Sequence, residues 1–268
     1  MSTSPLHHDT LAGVLKGKSP SFGTFLGLGA PMAAEVAAVA GAQWVVLDLE
    51  HGGSTRADVG HTVLAAGGYG VPTIVRVPTP ERIEIGQVLD AGAAGVMVPR
   101  IASVAGAQEA VAHMSHPPHG DRGVASYNRA ARWGLMENPF PAPRTASCLI
   151  QIETRGALDD CEAIASLDGV DALFVGPLDL SFALGTPRDF SSTPFVAALG
   201  RVVAGAQAAG VPAGILAPDG TAAARFVDQG FSFVAIGSDS TLFAHAVAHN
   251  ITAAKAAATQ KKEDNDVR

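Results

Sequence analysis

Short apolar runs of β type recur along the chain at residues 21–28 (SFGTFLGL), 44–50 (WVVLDLE), 72–78 (PTIVRVP), 95–101 (GVMVPRI), 148–154 (CLIQIET), 171–177 (DALFVGP), 212–218 (PAGILAP) and 233–239 (FVAIGSD). Between several of them lie Ala-rich stretches with helical spacing, at 31–41, 82–92, 103–114 and 193–210. Glycines at 41, 92 and 210 stop three of those stretches, as residues that tolerate a left-handed C-cap. Strands separated by helices must cross over, so they pair in parallel. Eight such units predict an α/β chain folded as a single (β/α)8, or TIM, barrel over residues 1–260. An open doubly wound sheet has the same local pattern and is the alternative. The stretch 116–144 fits no unit: it holds five prolines and PPHGDRGVASYNRAARWG, as expected of a long functional excursion. KKEDNDVR at 261–268 suggests a solvated, disordered tail.

Barrel chemistry gathers at the C-terminal ends of the strands, which makes the polar residues there informative. On a strand Gln151 and Glu153 point to one face. Asp48, Glu50 and His51 end the second run, Arg76 sits late in the third, and Asp179 follows Gly176-Pro177-Leu178 after the sixth. Glu153 and Asp179, arriving from neighbouring strands, form an oxygen-rich pair suited to a hard divalent cation that keeps water and substrate ligands; helix capping or arginine pairing would also use them. Asp48 three residues before His51 suggests a carboxylate orienting an imidazole as general base, or a structural contact. Arg76 needs an anion near a core: Glu50 or Asp48 would serve, and so would a substrate carboxylate or developing enolate. Zinc is less attractive, because His7 and His8 lie in a terminal segment and His113, His116 and His119 lack zinc-site spacing.

Composition narrows the chemistry. At 47% apolar and 16% charged with 30 glycines, the chain is expected to be compact and globular. A formal charge of −7 disfavours nucleic acid or an anionic membrane as partner. Cys148 and Cys161 are the two cysteines, expected as reduced core residues. With no basic-then-apolar start and no run of ~20 apolar residues, neither a signal peptide nor a membrane span is expected, and the expected location is cytoplasmic. Lysine occurs only at positions 16, 18, 255, 261 and 262. No strand from the second to the eighth carries one, so a Schiff base has no candidate, and carbonyl chemistry would need a metal as electron sink.

The segments GTFLGLGAPMAAEVAAVAGAQWVVLDLEHGG (23–53), IVRVP (74–78), VLDAGAAGVMVPRI (88–101), RGVASYNRAARWG (122–134), LIQIETRGALDD (149–160) and GVDALFVGPLDLSFALG (169–185) resemble, in order, the HpcH/HpaI family of class II, metal-dependent pyruvate aldolases. The resemblance implies Mg2+, Mn2+ or Co2+ held by Glu153 and Asp179, with no organic cofactor. It further implies a His51–Asp48 base dyad and Arg76 on the keto oxygen and enolate. Gln151 and the backbone of Gly176, Pro177 and Leu178 would lie in the substrate site, with Leu178 larger than the family's residue there. Phe25, Leu216 and Ser126 would help to shape the pocket, while Asp90 and Arg122 would lie at a subunit boundary. The same resemblance implies a hexamer built as a trimer of dimers, with the helix at 241–259 exchanged between neighbours. The implied reaction is reversible cleavage of a 4-hydroxy-2-oxo acid to pyruvate, or hydroxypyruvate, and an aldehyde. Rivals are a citrate-lyase-like acyl-CoA lyase, a phosphoenolpyruvate-using transferase or mutase, and a non-catalytic binding barrel.

Overall fold

The computed structural model describes residues 8–140, 144 and 146–266; His7 of the terminal pair lies outside them. The strands are β1 (Ser21–Leu26), β2 (Trp44–Asp48), β3 (Thr73–Arg76), β4 (Gly95–Val98), β5 (Ser147–Ile152), β6 (Ala172–Val175), β7 (Ala213–Ala217) and β8 (Phe233–Ser238). They pair in parallel in sequence order, and β8 returns to β1 to close the barrel. The open-sheet alternative is thereby excluded. Helices α1 (His8–Leu15), α2 (Pro31–Val39), α3 (Arg56–Gly67), α4 (Arg82–Asp90), α5 (Val104–Met114), α6 (Arg155–Asp159), α7 (Cys161–Ala165), α8 (Pro177–Ala183), α9 (Thr193–Ala209), α10 (Gly220–Asp228) and α11 (Asp239–Asp266) complete the set.

Strands of a parallel barrel are covered on both faces, which explains their nearly unbroken apolar character. Val45, Leu47, Val75, Val96, Ile150 and Val175 face the helices in one buried cluster. Trp44, Val46, Ile74, Met97, Leu149, Phe174 and Phe233 fill the interior. Trp44 stacks on Phe233 with centroids 3.8 Å apart. Gly23 on the adjacent strand makes room for that indole, since a Cβ there would stand 2.3 Å from it. Helix α1, absent from the sequence expectation, joins the interior cluster through Leu11 and Leu15, one helical turn apart, and a Cβ on Gly95 would come within 2.7 Å of Leu11.

Two terminal features differ from expectation or stand apart from the barrel. Helix α11 runs on through residues 261–266, part of the segment expected as a disordered tail. It also leaves Leu242, Phe243, Val247 and Ile251 exposed, three of them spaced four residues apart along one face. Among the described residues no helix is long and apolar enough to cross a membrane. Among the described residues of the proline-rich excursion the regular structure is a 3-10 turn, Arg132–Gly134.

Candidate active site

Asp48 closes β2, level with Arg76 at the end of β3 in the parallel register. Arg76 donates from Nε to Asp48 Oδ1 at 2.9 Å and from Nη2 to Oδ2 at 2.7 Å, a fork-to-fork ion pair. Its remaining nitrogen, Nη1, lies 3.1 Å from Glu50 Oε2, and the guanidinium sits 5.3 Å from the Phe25 ring centroid. Burial pushes the Asp48 carboxyl up, but Arg76 and the backbone N–H groups of Glu50 and His51 outweigh it and hold it below the usual range. Burial pulls Arg76 down, and the two carboxylates more than reverse that. At Glu50 burial wins over Arg76 and His51, so its carboxyl is raised.

This geometry corrects the expected Asp48–imidazole contact. Asp48 Oδ1 receives the backbone N–H groups of Glu50 at 3.0 Å and His51 at 3.3 Å, while its two oxygens hold Arg76. The imidazole has Glu50 as its acidic neighbour, Nε2 to Oε1 at 3.8 Å. The cause is the ladder: Arg76 faces Asp48 directly across it, whereas His51 has already left the strand. Of the two structural partners considered for Arg76, it takes both.

The second half of the site is carboxylate-rich. Gln151 lies in β5 and Glu153 just beyond it, and the same-face spacing is realised as a hydrogen bond from Gln151 Nε2 to Glu153 Oε2. The other Glu153 oxygen accepts the backbone N–H of Arg100 at 2.7 Å. Burial raises the Glu153 carboxyl; the nearby charges of Glu50 and Asp179 add to this, against the Arg100 N–H and Arg76. Asp179 stands in the first turn of α8, with Arg100 Nη1 3.7 Å from its Oδ1. Gly176 is required here: a Cβ would stand 2.7 Å from Gln151 Nε2 and 2.8 Å from Glu153 Oε2. Gln151 Oε1 is buried without a hydrogen-bond partner, an arrangement that costs about 1–3 kcal/mol unless a bound group supplies one.

A cleft of about 310 Å³ opens over these groups. It brings together Asp48, His51, Arg76, Gln151, Gly176, Pro177, Leu178, Asp179, Phe25 and Leu216 from the sequence-based set, with Glu153 held against its wall by Gln151. Ser126 is exposed and does not line the cleft. Asp90 and Arg122 pair with each other at 2.6 Å, tying α4 to the excursion. Sequence reasoning missed Arg100, which touches both Glu153 and Asp179 from a left-handed backbone conformation with φ of 60°. It also missed Ser238 and Ser240, which line the cleft from the end of β8. The polar run 237–240 was the available signal for the serines; nothing local marked Arg100.

Hard oxygen donors at Glu153, Asp179 and the unpartnered Gln151 Oε1 suit a cation such as Mg2+ or Mn2+ that keeps most of its ligands as water or substrate. Among the described residues no three or more His, Cys, Asp or Glu side chains gather as a metal site. Cys148 and Cys161 are buried and free, their thiols pushed up to about 12 and about 11, chiefly by burial.

A closed parallel barrel with acid, base and guanidinium groups converging at its C-terminal mouth defines an enzyme, and the comparisons identify it as a lyase of the aldolase type. Residues 21–246 match the HpcH/HpaI aldolase/citrate lyase family, and the chain belongs to it. It is 36% identical over 253 residues to the 2-keto-3-deoxy-L-rhamnonate aldolase of Klebsiella pneumoniae, covering 94% of both chains. It is 40% identical to the pyruvate aldolase of Rhizobium etli, over 85% of this chain and 90% of that one. An HpcH/HpaI aldolase/citrate lyase family protein from Burkholderia cenocepacia superposes with a TM-score of 0.87 at 32% identity, covering 92% of this chain and 99% of that one.

Proposed function

We propose that the protein reversibly cleaves a 4-hydroxy-2-oxo acid to pyruvate, or its hydroxylated analogue, and an aldehyde. The observation that carries this reading is Arg76, clamped by Asp48, in one cleft with Gln151 and Asp179, with Glu153 bonded to Gln151. Relatives named as pyruvate and hydroxypyruvate/pyruvate aldolases support it. Two of the five N–H groups of Arg76 are bonded to Asp48, and Nη1 lies 3.1 Å from Glu50 Oε2, so the guanidinium keeps N–H groups for a substrate oxygen. It is fixed in advance by buried Asp48, the condition under which a donor stabilises developing enolate charge without reorganising. The half-exposed Leu178 narrows the cleft beside Asp179.

The family is metal-dependent in general, and Glu153 and Asp179 would hold the ion here. When bound, a divalent cation supplies Lewis-acid withdrawal of electrons from the 2-oxo group. His51 accepts the proton of the C4 hydroxyl, and the C3–C4 electron pair passes into the pyruvate enolate as the aldehyde carbonyl forms. Arg76 holds the enolate oxygen. Returning the proton to C3 yields pyruvate, so no proton is gained or lost overall. Glu50 is the acidic neighbour of that imidazole, 3.8 Å from Nε2.

The exposed apolar face of α11 supports assembly as well: Leu242, Phe243, Val247 and Ile251 suit a helix that docks on a neighbouring copy in a homo-oligomer.

Exchange of the pyruvate methyl protons in D2O, followed by NMR, tests the chemistry without any aldehyde. Exchange lost on metal removal, restored by Mg2+, Mn2+ or Co2+, and abolished in His51→Ala is the expected result. Undiminished exchange in demetallated protein, or in His51→Ala, would overturn the reading.

A further inference from the structure

One polar corner of the cleft has no part in the chemistry above. β8 ends at Ser238, α11 begins with Asp239 and Ser240, and both serines line the cleft. Asp239 pins this corner: Oδ1 accepts the backbone N–H groups of Gly27 and Ser240, each at 2.7 Å, and Oδ2 accepts that of Leu28 at 3.2 Å. The Ser238 hydroxyl is committed, accepting the Thr241 N–H at 3.2 Å and bonding Thr241 Oγ1 at 3.0 Å and Ser240 Oγ at 2.9 Å. Ser240 Oγ has only that last bond among the described contacts. A hydroxyl offers one donor and two acceptor positions, so Ser240 keeps capacity to spare. Gly27 lies beside it, where a Cβ would stand 3.8 Å from Ser240 Oγ, at ordinary contact distance.

We propose that Ser240, oriented by Ser238, binds a hydroxyl on the aldehyde half of the substrate, so that the enzyme prefers short, neutral hydroxyaldehydes over acidic aldehydes. The inference rests on the aldolase reading and specifies its acceptor. Charge balance supports neutrality. Asp48, Glu50 and Glu153 lie around Arg76, and Asp179 has Arg100 beside it. Fully ionised, that set carries two negative charges in excess, which one divalent cation offsets. The pyruvate carboxylate then leaves the site at −1, and an acceptor carboxylate would add a second unmatched charge in a poorly solvated cleft. Size agrees: about 310 Å³ lies at the small end of ligand clefts, roughly 300–1,000 Å³.

The test uses three two-carbon aldehydes that differ in one substituent: glycolaldehyde, acetaldehyde and glyoxylate, each added to pyruvate. Wild type should take glycolaldehyde with higher kcat/KM than glyoxylate. Ser240→Ala should lower kcat/KM for glycolaldehyde roughly five- to tenfold, as for one lost hydrogen bond, and leave acetaldehyde unchanged. Ser240→Thr, which keeps the hydroxyl, should restore most of the loss. A Ser240→Ala effect that is absent, or equal for glycolaldehyde and acetaldehyde, overturns the inference, as does a preference for glyoxylate. Pyruvate methyl exchange separates the two levels of the argument. Exchange with the wrong acceptor pattern sinks the Ser240 assignment alone; its absence from the metal-supplied wild type sinks the aldolase reading beneath it.

Discussion

Asp48→Asn separates two roles for a residue whose spacing from His51 suggested a dyad and whose contacts make it the clamp on Arg76. The substitution keeps shape and removes charge. It leaves one carbonyl oxygen for Arg76 and turns an amide donor toward a guanidinium nitrogen that formerly found an acceptor at 2.7 Å. Removing one partner of a buried ion pair costs about 3–5 kcal/mol. Glu50 remains at 3.1 Å on the opposite nitrogen and one bond survives, so the loss should be roughly 2–3 kcal/mol. For a domain of this size that corresponds to a fall in Tm of about 5–10 °C. The pH dependence follows from the lowered Asp48 carboxyl. A carboxyl whose folded value is depressed stabilises the protein above its unfolded value, and the benefit is lost as pH falls through the folded value. The gap between wild type and variant should therefore hold across neutral pH and close only below 3.8, the ordinary value. Thermal unfolding followed by circular dichroism at a series of pH values measures it. In the exchange assay the rate should drop as well. A variant that melts with wild type and exchanges at the wild-type rate would refute the clamp.

Three further outcomes follow from the same geometry. Gly176→Ala places a methyl 2.7 Å from Gln151 Nε2 and 2.8 Å from Glu153 Oε2, so activity should collapse with a stability loss of about 1–3 kcal/mol; a fully active variant would show that the carboxylate can move aside freely. Arg100→Leu removes the cation 3.7 Å from Asp179 in a largely exposed pair worth about 0.2–1 kcal/mol, so Mn2+ affinity by calorimetry should tighten by roughly two- to fivefold, and weaker binding would contradict the competition. Adding Mg2+ at 100 times its Kd should stabilise the protein by about 2.7 kcal/mol, an increment that Glu153→Gln should largely abolish; equal increments in both proteins would place the ion elsewhere.

The barrel was legible because each strand is a short apolar run that ends in a turn, and the order of units fixes the pairing. All eight expected runs overlap observed strands, with the main discrepancy at the C-terminal ends: Glu50 and Glu153 lie beyond β2 and β5, where the chain leaves the ladder to present them. Several polar residues at the mouth, among them Asp48, Arg76, Gln151 and Asp179, were also legible, since a side chain at a strand end has few places to go. Who pairs with whom was not. Asp48 is three residues from His51 and 28 from Arg76, yet the cross-strand register decides the contact. Arg100 acts through its backbone N–H in a left-handed conformation, and no residue pattern announces a main-chain donor. Helix α1 escaped notice because Leu11 and Leu15 make sense only once the barrel they enter exists.

The absence of a lysine on β2–β8 acquires a structural reason at Arg76. An ammonium offers three donors around one point and is strongly hydrated. A guanidinium spreads five donors over a plane, so it can grip Asp48 with two, lie beside Glu50 and still have donors for a substrate oxygen. Those grips also hold the charge in place where burial would otherwise drive deprotonation or reorientation. Burial, above all, leaves Glu50 and Glu153 with raised carboxyls, and the neighbouring carboxylates add to it against the pull of Arg76. Such a site has no strand lysine for imine chemistry and is short of positive charge, and the divalent cation proposed at Glu153 and Asp179 would answer both deficits.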